Sequence, residues 1–147
     1  MERTDIWAPL AEGQVPRPYA PGQLIYLQGT PADVFYYLLS GTARSYISSE
    51  AGGERVLTTH RAGDLMGEAS FFDGCPRVSS AVAATACQVV SIDRRRLDQI
   101  FRNRPDLALP MLQYLARTVR LLSDHVDDMS FRPADQRVAR YLLTLPA

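Results

Sequence analysis

Apolar and polar positions alternate in short runs as far as residue 92, after which the period of the pattern changes. Residues 24–27, 34–39, 42–47, 55–60, 78–84 and 88–92 each read as a short strand. They are punctuated by Pro21-Gly22, Gln28-Gly29, Ser40-Gly41, Gly52-Gly53 and Ala62-Gly63. Many short strands at near-regular spacing with glycine turns predict a barrel, jelly roll or sandwich rather than a parallel sheet. Ahead of them, residues 4–10 predict a lead-in helix capped by Thr4, with Ile6, Trp7 and Leu10 on its apolar side, ended by the proline-rich stretch 9–21.

Beyond Ile92 the spacing becomes helical. Asp93 is placed to cap a helix over 94–102 that buries Leu97, Ile100 and Phe101, and residues 103–105 stop it. The run Arg94-Arg95-Arg96 reads as a solvated helix face. A longer helix follows over 106–130, where Ala108, Leu112, Leu115, Val119, Leu122, Val126 and Met129 succeed one another at steps of four and three. That is a heptad seam, and it predicts a homodimer paired through Leu112, Leu115, Val119, Leu122, Val126 and Met129, the alternative being a single buried helix in a monomer. Leu107, Met111, Tyr114 and Leu121 form a second stripe, expected to pack on the strands. Pro110 falls near the first turn, where a missing amide matters least. Residues 131–147 read as a hinge, Ser130 to Pro133, and a further helix over 133–145 whose apolar face has nothing left in the chain to cover it.

Composition narrows the function classes. The 147 residues are 46% hydrophobic and 22% charged, as in an ordinary globule, and the formal net charge is zero. That balance gives no support to direct nucleic-acid binding, which normally shows a basic excess or patch. Every basic residue is arginine. No apolar run reaches membrane-spanning length and residues 1–5 lack a signal-peptide core, so the expected location is cytoplasmic, without membrane contact. Cys75 and Cys87 make neither a disulfide framework nor a metal site, and Cys87, in an apolar strand, reads as a buried free thiol.

Candidate chemistry concentrates in residues 63–83. A short helix over 68–73 would leave its first amides free beside Gly67, at Glu68, Ala69 and Ser70, and Arg77 could return to the same spot as a fork-shaped donor. Those parts suit a phosphate. Glu68 would repel one, so a carboxylate held this close is better explained by a hydroxyl donor on the same ligand, such as a ribose. The bland alternative makes Glu68 a helix-start acid and Arg77 a surface partner of Asp73. His60 reads as a solvent-facing strand residue that could border the same pocket, and His125 as an exposed helix residue.

Met66-Gly67-Glu68-Ala69-Ser70 followed by Pro76-Arg77 resembles the phosphate-binding cassette of cyclic nucleotide-binding domains, and the run 29–41 is similar to that family's other signature. Arg104-Pro105-Asp106 before a long helix, and Ser130-Phe131-Arg132 after it, narrow the resemblance to bacterial transcription regulators of the catabolite-activator and fumarate-nitrate regulator (Crp/Fnr) superfamily. The resemblance implies an antiparallel, jelly-roll-like β-roll over 1–104, a dimerisation helix over 105–130, and over 131–147 the hinge and first helix of a winged helix-turn-helix domain that lies beyond this chain and would carry any DNA contact. It implies a small-molecule effector, cyclic AMP or cyclic GMP, with no required cofactor. Glu68 would accept from the ribose and Arg77 would pair with the phosphate, joined by Gly67, Ala69, Ser70, Val78 and Ser79. Leu122 and Ser123 stand where cyclic-AMP sensors place a threonine and a serine at the purine, and Val78 stands where they place a serine. These departures keep open a second occupant on the same fold, a non-nucleotide anion or an aromatic acid.

Other sensor and enzyme plans lack the residues they need. A haem sensor needs matched axial ligands and an iron–sulfur sensor an N-terminal cysteine cluster. A cupin-like metal enzyme needs clustered histidines and carboxylates, and the two histidines are scattered, so no enzyme activity is expected.

Overall fold

The computed structural model describes residues 7–128, and of residues 122 and 124–128 the backbone only. The chain divides into two compact units, Met1–Pro105 and Asp106–Ala147.

In the first unit eight strands form two four-stranded antiparallel sheets. One sheet has the order β1 (Arg17–Tyr19), β8 (Cys87–Asp93), β3 (Val34–Ser40), β6 (Leu65–Met66). The other has the order β2 (Leu24–Tyr26), β7 (Ser80–Ala83), β4 (Thr42–Ser48), β5 (Glu54–Arg61). Strands early in the chain thus pair with strands late in it: Arg17 lies opposite Val89, Leu24 opposite Val82 and Val34 opposite Asp93. The expected jelly-roll-like β-roll is what forms.

Alternation along the strands builds the core. Tyr36 and Leu38 of β3 and Cys87 and Val89 of β8 share one buried cluster with Tyr26, Ala43, Ala81 and Ala83 of the other sheet. The intervening residues of β3, Phe35 and Tyr37, are also buried, because helices cover that outer face. α1 (Ala8–Ala11) supplies buried Leu10, with buried Trp7 as its N-cap; α2 (Glu68–Asp73) lays Phe71 and Phe72 on Phe35 at ring separations of 5.0 and 5.6 Å. α3 (Arg94–Asn103) buries Leu97 and Ile100 and opens on Asp93, whose carboxylate accepts from the Arg96 amide at 2.7 Å.

Two strands were not expected. β1 contains Pro18, which reads as a breaker, yet an edge strand tolerates proline because one side of its backbone needs no ladder bond. β6 has only two residues, too few for a visible period. The strand expected over 78–84 begins at Ser80, because Arg77 spends its backbone on loop partners: its amide donates to Thr30 and its carbonyl accepts from Gly29, both at 2.8 Å. The helix expected over 4–10 appears as Ala8–Ala11, and its Thr4 cap lies outside the described residues.

The second unit opens on a 3-10 turn, Pro105–Leu107, and continues as α4 (Ala108–Asp128). Leu107 and Met111 are buried, whereas Leu112 and Val119 of the heptad seam are 62% and 63% exposed and Leu115 is half-buried. Leu121, expected on the stripe of Leu107 and Met111, is exposed instead. At about 100° per residue it stands roughly 80° around the helix from Met111, off the buried side. Met129, the hinge and the helix expected over 133–145 lie outside the described residues.

Candidate functional site

The turn from β6 into α2 is made by Gly67, which is left-handed at φ 70° and serves as the N-cap of α2. A side chain there would be strained twice over: the φ is one that L residues rarely adopt, and a Cβ would collide with the Arg77 guanidinium. The glycine lets an arginine pass directly beneath the turn.

Arg77 is only 4% exposed. Its Nη1 donates to the Gly67 carbonyl at 2.7 Å and its Nη2 to the Val34 carbonyl at 2.5 Å. The guanidinium carbon lies 4.6 Å from the ring centre of Tyr26 and 5.5 Å from that of Tyr36, and the two rings are stacked within 6° of parallel. Nε is buried with no hydrogen-bond partner. Among the described residues Arg77 makes no ion pair. A charge taken out of water against carbonyls and ring faces is partly compensated, and the Glu68 carboxyl lies near enough for the two charges to interact.

Glu68 is half-buried at the first position of α2. Burial raises its carboxyl above the ordinary glutamate value and Asp64 adds to the rise; a hydrogen bond from its own backbone and the Arg77 charge act the other way. Burial is also the main cause that pushes the Tyr26 phenol up to about 12, with Glu68 adding, while Arg77 and a hydrogen bond to Ser79 oppose it. The Tyr26 hydroxyl therefore stays neutral and sits among Ser79, Glu68 and Arg77. Ser70 is buried, Ala69 is exposed, and α2 is closed by Gly74, whose amide donates to Ser70 O at 3.1 Å.

The sequence-derived residues thus fall into groups. Gly67, Glu68, Arg77 and Ser79 come together in the first unit. Val78, beside Arg77 and ahead of β7, is 61% exposed, whereas Ser79 and Ser80 after it are both buried. Leu122 and Ser123 belong to α4, where Ser123 is exposed. The reading of Arg77 as a surface partner of Asp73 is overturned by the burial of Arg77; the Asp73 carboxylate instead accepts from the Cys75 amide at 2.8 Å. His60, expected to face solvent, is half-buried opposite Ala43 while the rest of β5 is exposed, and that burial lowers its pKa. Cys87 is a buried free thiol donating to the carbonyls of Thr42 and Thr85, each at 3.2 Å. Among the described residues no cluster of three or more histidines, cysteines or carboxylates could hold a metal ion, and no helix is long and apolar enough to cross a membrane.

Tyr26, Tyr36 and the Val34 carbonyl belong to the site and escaped the sequence reading. Tyr26 had no signal beyond membership of an apolar strand, and Val34 and Tyr36 none beyond the run 29–41; neither shows that strands far apart in sequence meet around one guanidinium.

Comparison with known proteins agrees with this geometry. Residues 16–104 match the cyclic nucleotide-binding domain family. A CRP-like cAMP-activated global transcriptional regulator from Mycobacterium tuberculosis is 33% identical over 138 residues, 94% of this chain and 62% of that protein. The cAMP-activated global transcriptional regulator CRP of Salmonella typhimurium is 31% identical over 119 residues, 80% of this chain and 57% of that protein. The crystal structure of the Thermus thermophilus catabolite activator protein superposes with a TM-score of 0.73 at 29% identity, covering 84% of this chain and 63% of that one. The chain spans about three fifths of the length of these relatives. It belongs to the cyclic nucleotide-binding domain family, with homology to CRP-like regulators.

Proposed function

We propose that this chain is the effector-sensing and dimerisation portion of a Crp/Fnr-type transcription regulator. In this reading the β-roll over 1–104 binds a cyclic nucleotide, cyclic AMP being the leading candidate, and the helix over 105–130 pairs two copies. Residues 131–147 lead into a DNA-binding domain beyond the chain, and the protein works in the cytoplasm as a sensor rather than an enzyme. The observation that carries the binding reading is the buried Arg77 held beside half-buried Glu68 by the Gly67 turn. A cyclic phosphate can pair with the guanidinium, and a ribose hydroxyl can donate to the Glu68 carboxylate, which accepts through more than one lone pair. Amides at the start of α2, near Ala69 and Ser70, add donors for the phosphate. Signal transfer then needs only that the ligand bind one arrangement of the helix pair more tightly than another.

Val78 favours a second occupant on the same plan. An apolar, 61% exposed side chain beside the arginine offers one polar contact fewer, which suits a non-nucleotide anion or an aromatic acid. Calorimetric titration with cyclic AMP and cyclic GMP distinguishes the two. The nucleotide reading expects binding that Arg77→Ala weakens at least tenfold and Glu68→Ala also weakens. Absence of binding by the wild type, or binding indifferent to Arg77→Ala, overturns it. An aromatic acid or simple anion whose binding depends on Arg77 and ignores Glu68→Ala establishes the second occupant.

A further inference from the structure

Arg77 is not presented as an open fork. Both terminal nitrogens are committed to backbone carbonyls, Gly67 O and Val34 O, and the side chain is 4% exposed. The tyrosine rings stand close to the guanidinium, Tyr26 nearer than Tyr36, at 4.6 against 5.5 Å. Tyr26 is itself buried and stacked on Tyr36, the ring centres 5.5 Å apart. An anion that needs the two-pronged face of this arginine must first draw it away from the carbonyls. Nε, buried without a partner, shows that the docked position leaves one donor unsatisfied, so the docked state is held by the other contacts and not by full hydrogen bonding.

We propose that Tyr26 is a positioning residue that latches Arg77 in this inward-docked state, so that effector binding is coupled to release of the arginine from the Tyr26 ring. This rests on the reading of Arg77 as the phosphate partner. The latch sets apparent affinity by population: when only a fraction of molecules has the arginine released, the measured dissociation constant is the intrinsic one divided by that fraction. Removing the ring face raises the fraction. A cation–π contact of ordinary strength corresponds to a change of about 2- to 30-fold.

The test uses the whole chain and two readouts. The first needs no nucleotide: solvent exchange of the Arg77 Nε–H, followed by NMR and assigned by its loss in Arg77→Ala. Tyr26→Leu is expected to speed that exchange by the same factor, about 2- to 30-fold, while Tyr26→Phe, which keeps the ring, matches the wild type. The second is calorimetric titration with cyclic AMP, in which Tyr26→Leu is expected to bind about 2- to 30-fold more tightly. Should Tyr26→Leu not fold, Tyr26→Met carries the same expectations, since it keeps bulk without a π face. Unchanged exchange in the ring-less variant, or weaker binding by it, overturns the latch. If no form binds cyclic AMP, the nucleotide reading fails, and the exchange measurement alone decides the latch.

Discussion

A single arginine and the glycine above it show how closely composition and conformation are tied here. Gly67 adopts a backbone angle that L side chains rarely adopt, and the space a side chain would fill belongs to the guanidinium of Arg77. Glu68, next in the chain, then carries a measurable electrostatic signature. Its carboxyl is raised by burial, so the folded state binds a proton more readily than the unfolded chain. By linkage the folded state loses stability relative to the unfolded state as pH rises from the ordinary glutamate value, about 4.3, through Glu68's raised value. Glu68→Gln is expected to remove that loss, flattening the pH dependence of stability over this window in denaturant melts at a series of pH values; an unaltered pH profile would contradict it. Of the site, the glycine, the acid and the arginine were legible because a turn, a helix start and a basic residue have local signatures. The tyrosine pair was not, because stacking between Tyr26 and Tyr36 depends on which strands become neighbours.

At the scale of elements, local chemistry and tertiary context divide the outcome between them. Asp93 was readable as a cap because a carboxylate before a helical period satisfies an amide that the helix cannot, and it accepts from Arg96 N at 2.7 Å. Asp93→Ala is expected to cost about 1 kcal/mol of stability, read as a lowered urea midpoint with an unchanged slope. A change of slope would mean that the substitution altered more than the cap. The interior strands were legible for the same kind of reason, since alternation reports a buried and an open face. β1 was hidden because Pro18 signals a break wherever no edge is known, and edges exist only in the assembled sheet. The register of α4 was clear, but which of its stripes is covered was clear only near its start: Leu107 and Met111 are buried and Leu121 is not. Pattern finds faces; it does not say how far along a helix the cover extends.

For the whole molecule, the exposed part of the seam carries a prediction about assembly. Leu112 and Val119, seven residues apart and both more than 60% exposed, present an apolar ridge of the kind that pairs helices. Native mass spectrometry is expected to show a dimer for the wild-type chain and a monomer for the double variant Leu112→Glu, Val119→Glu. A wild-type monomer at micromolar concentration would remove the pairing role of this helix. The strand order has a consequence for how the molecule comes into being. Apart from the β4–β5 hairpin and other neighbouring pieces, the sheets close by joining Arg17 to Val89, Leu24 to Val82 and Val34 to Asp93. Such distant pairings incur the entropy of a long loop before any contact offsets it, which slows folding relative to helical proteins of the same size. A nascent chain still short of residue 80 lacks the central partners of both sheets, β7 and β8, so its early strands wait with open edges. Synthesis of β7 and β8 is thus the step that lets the roll close.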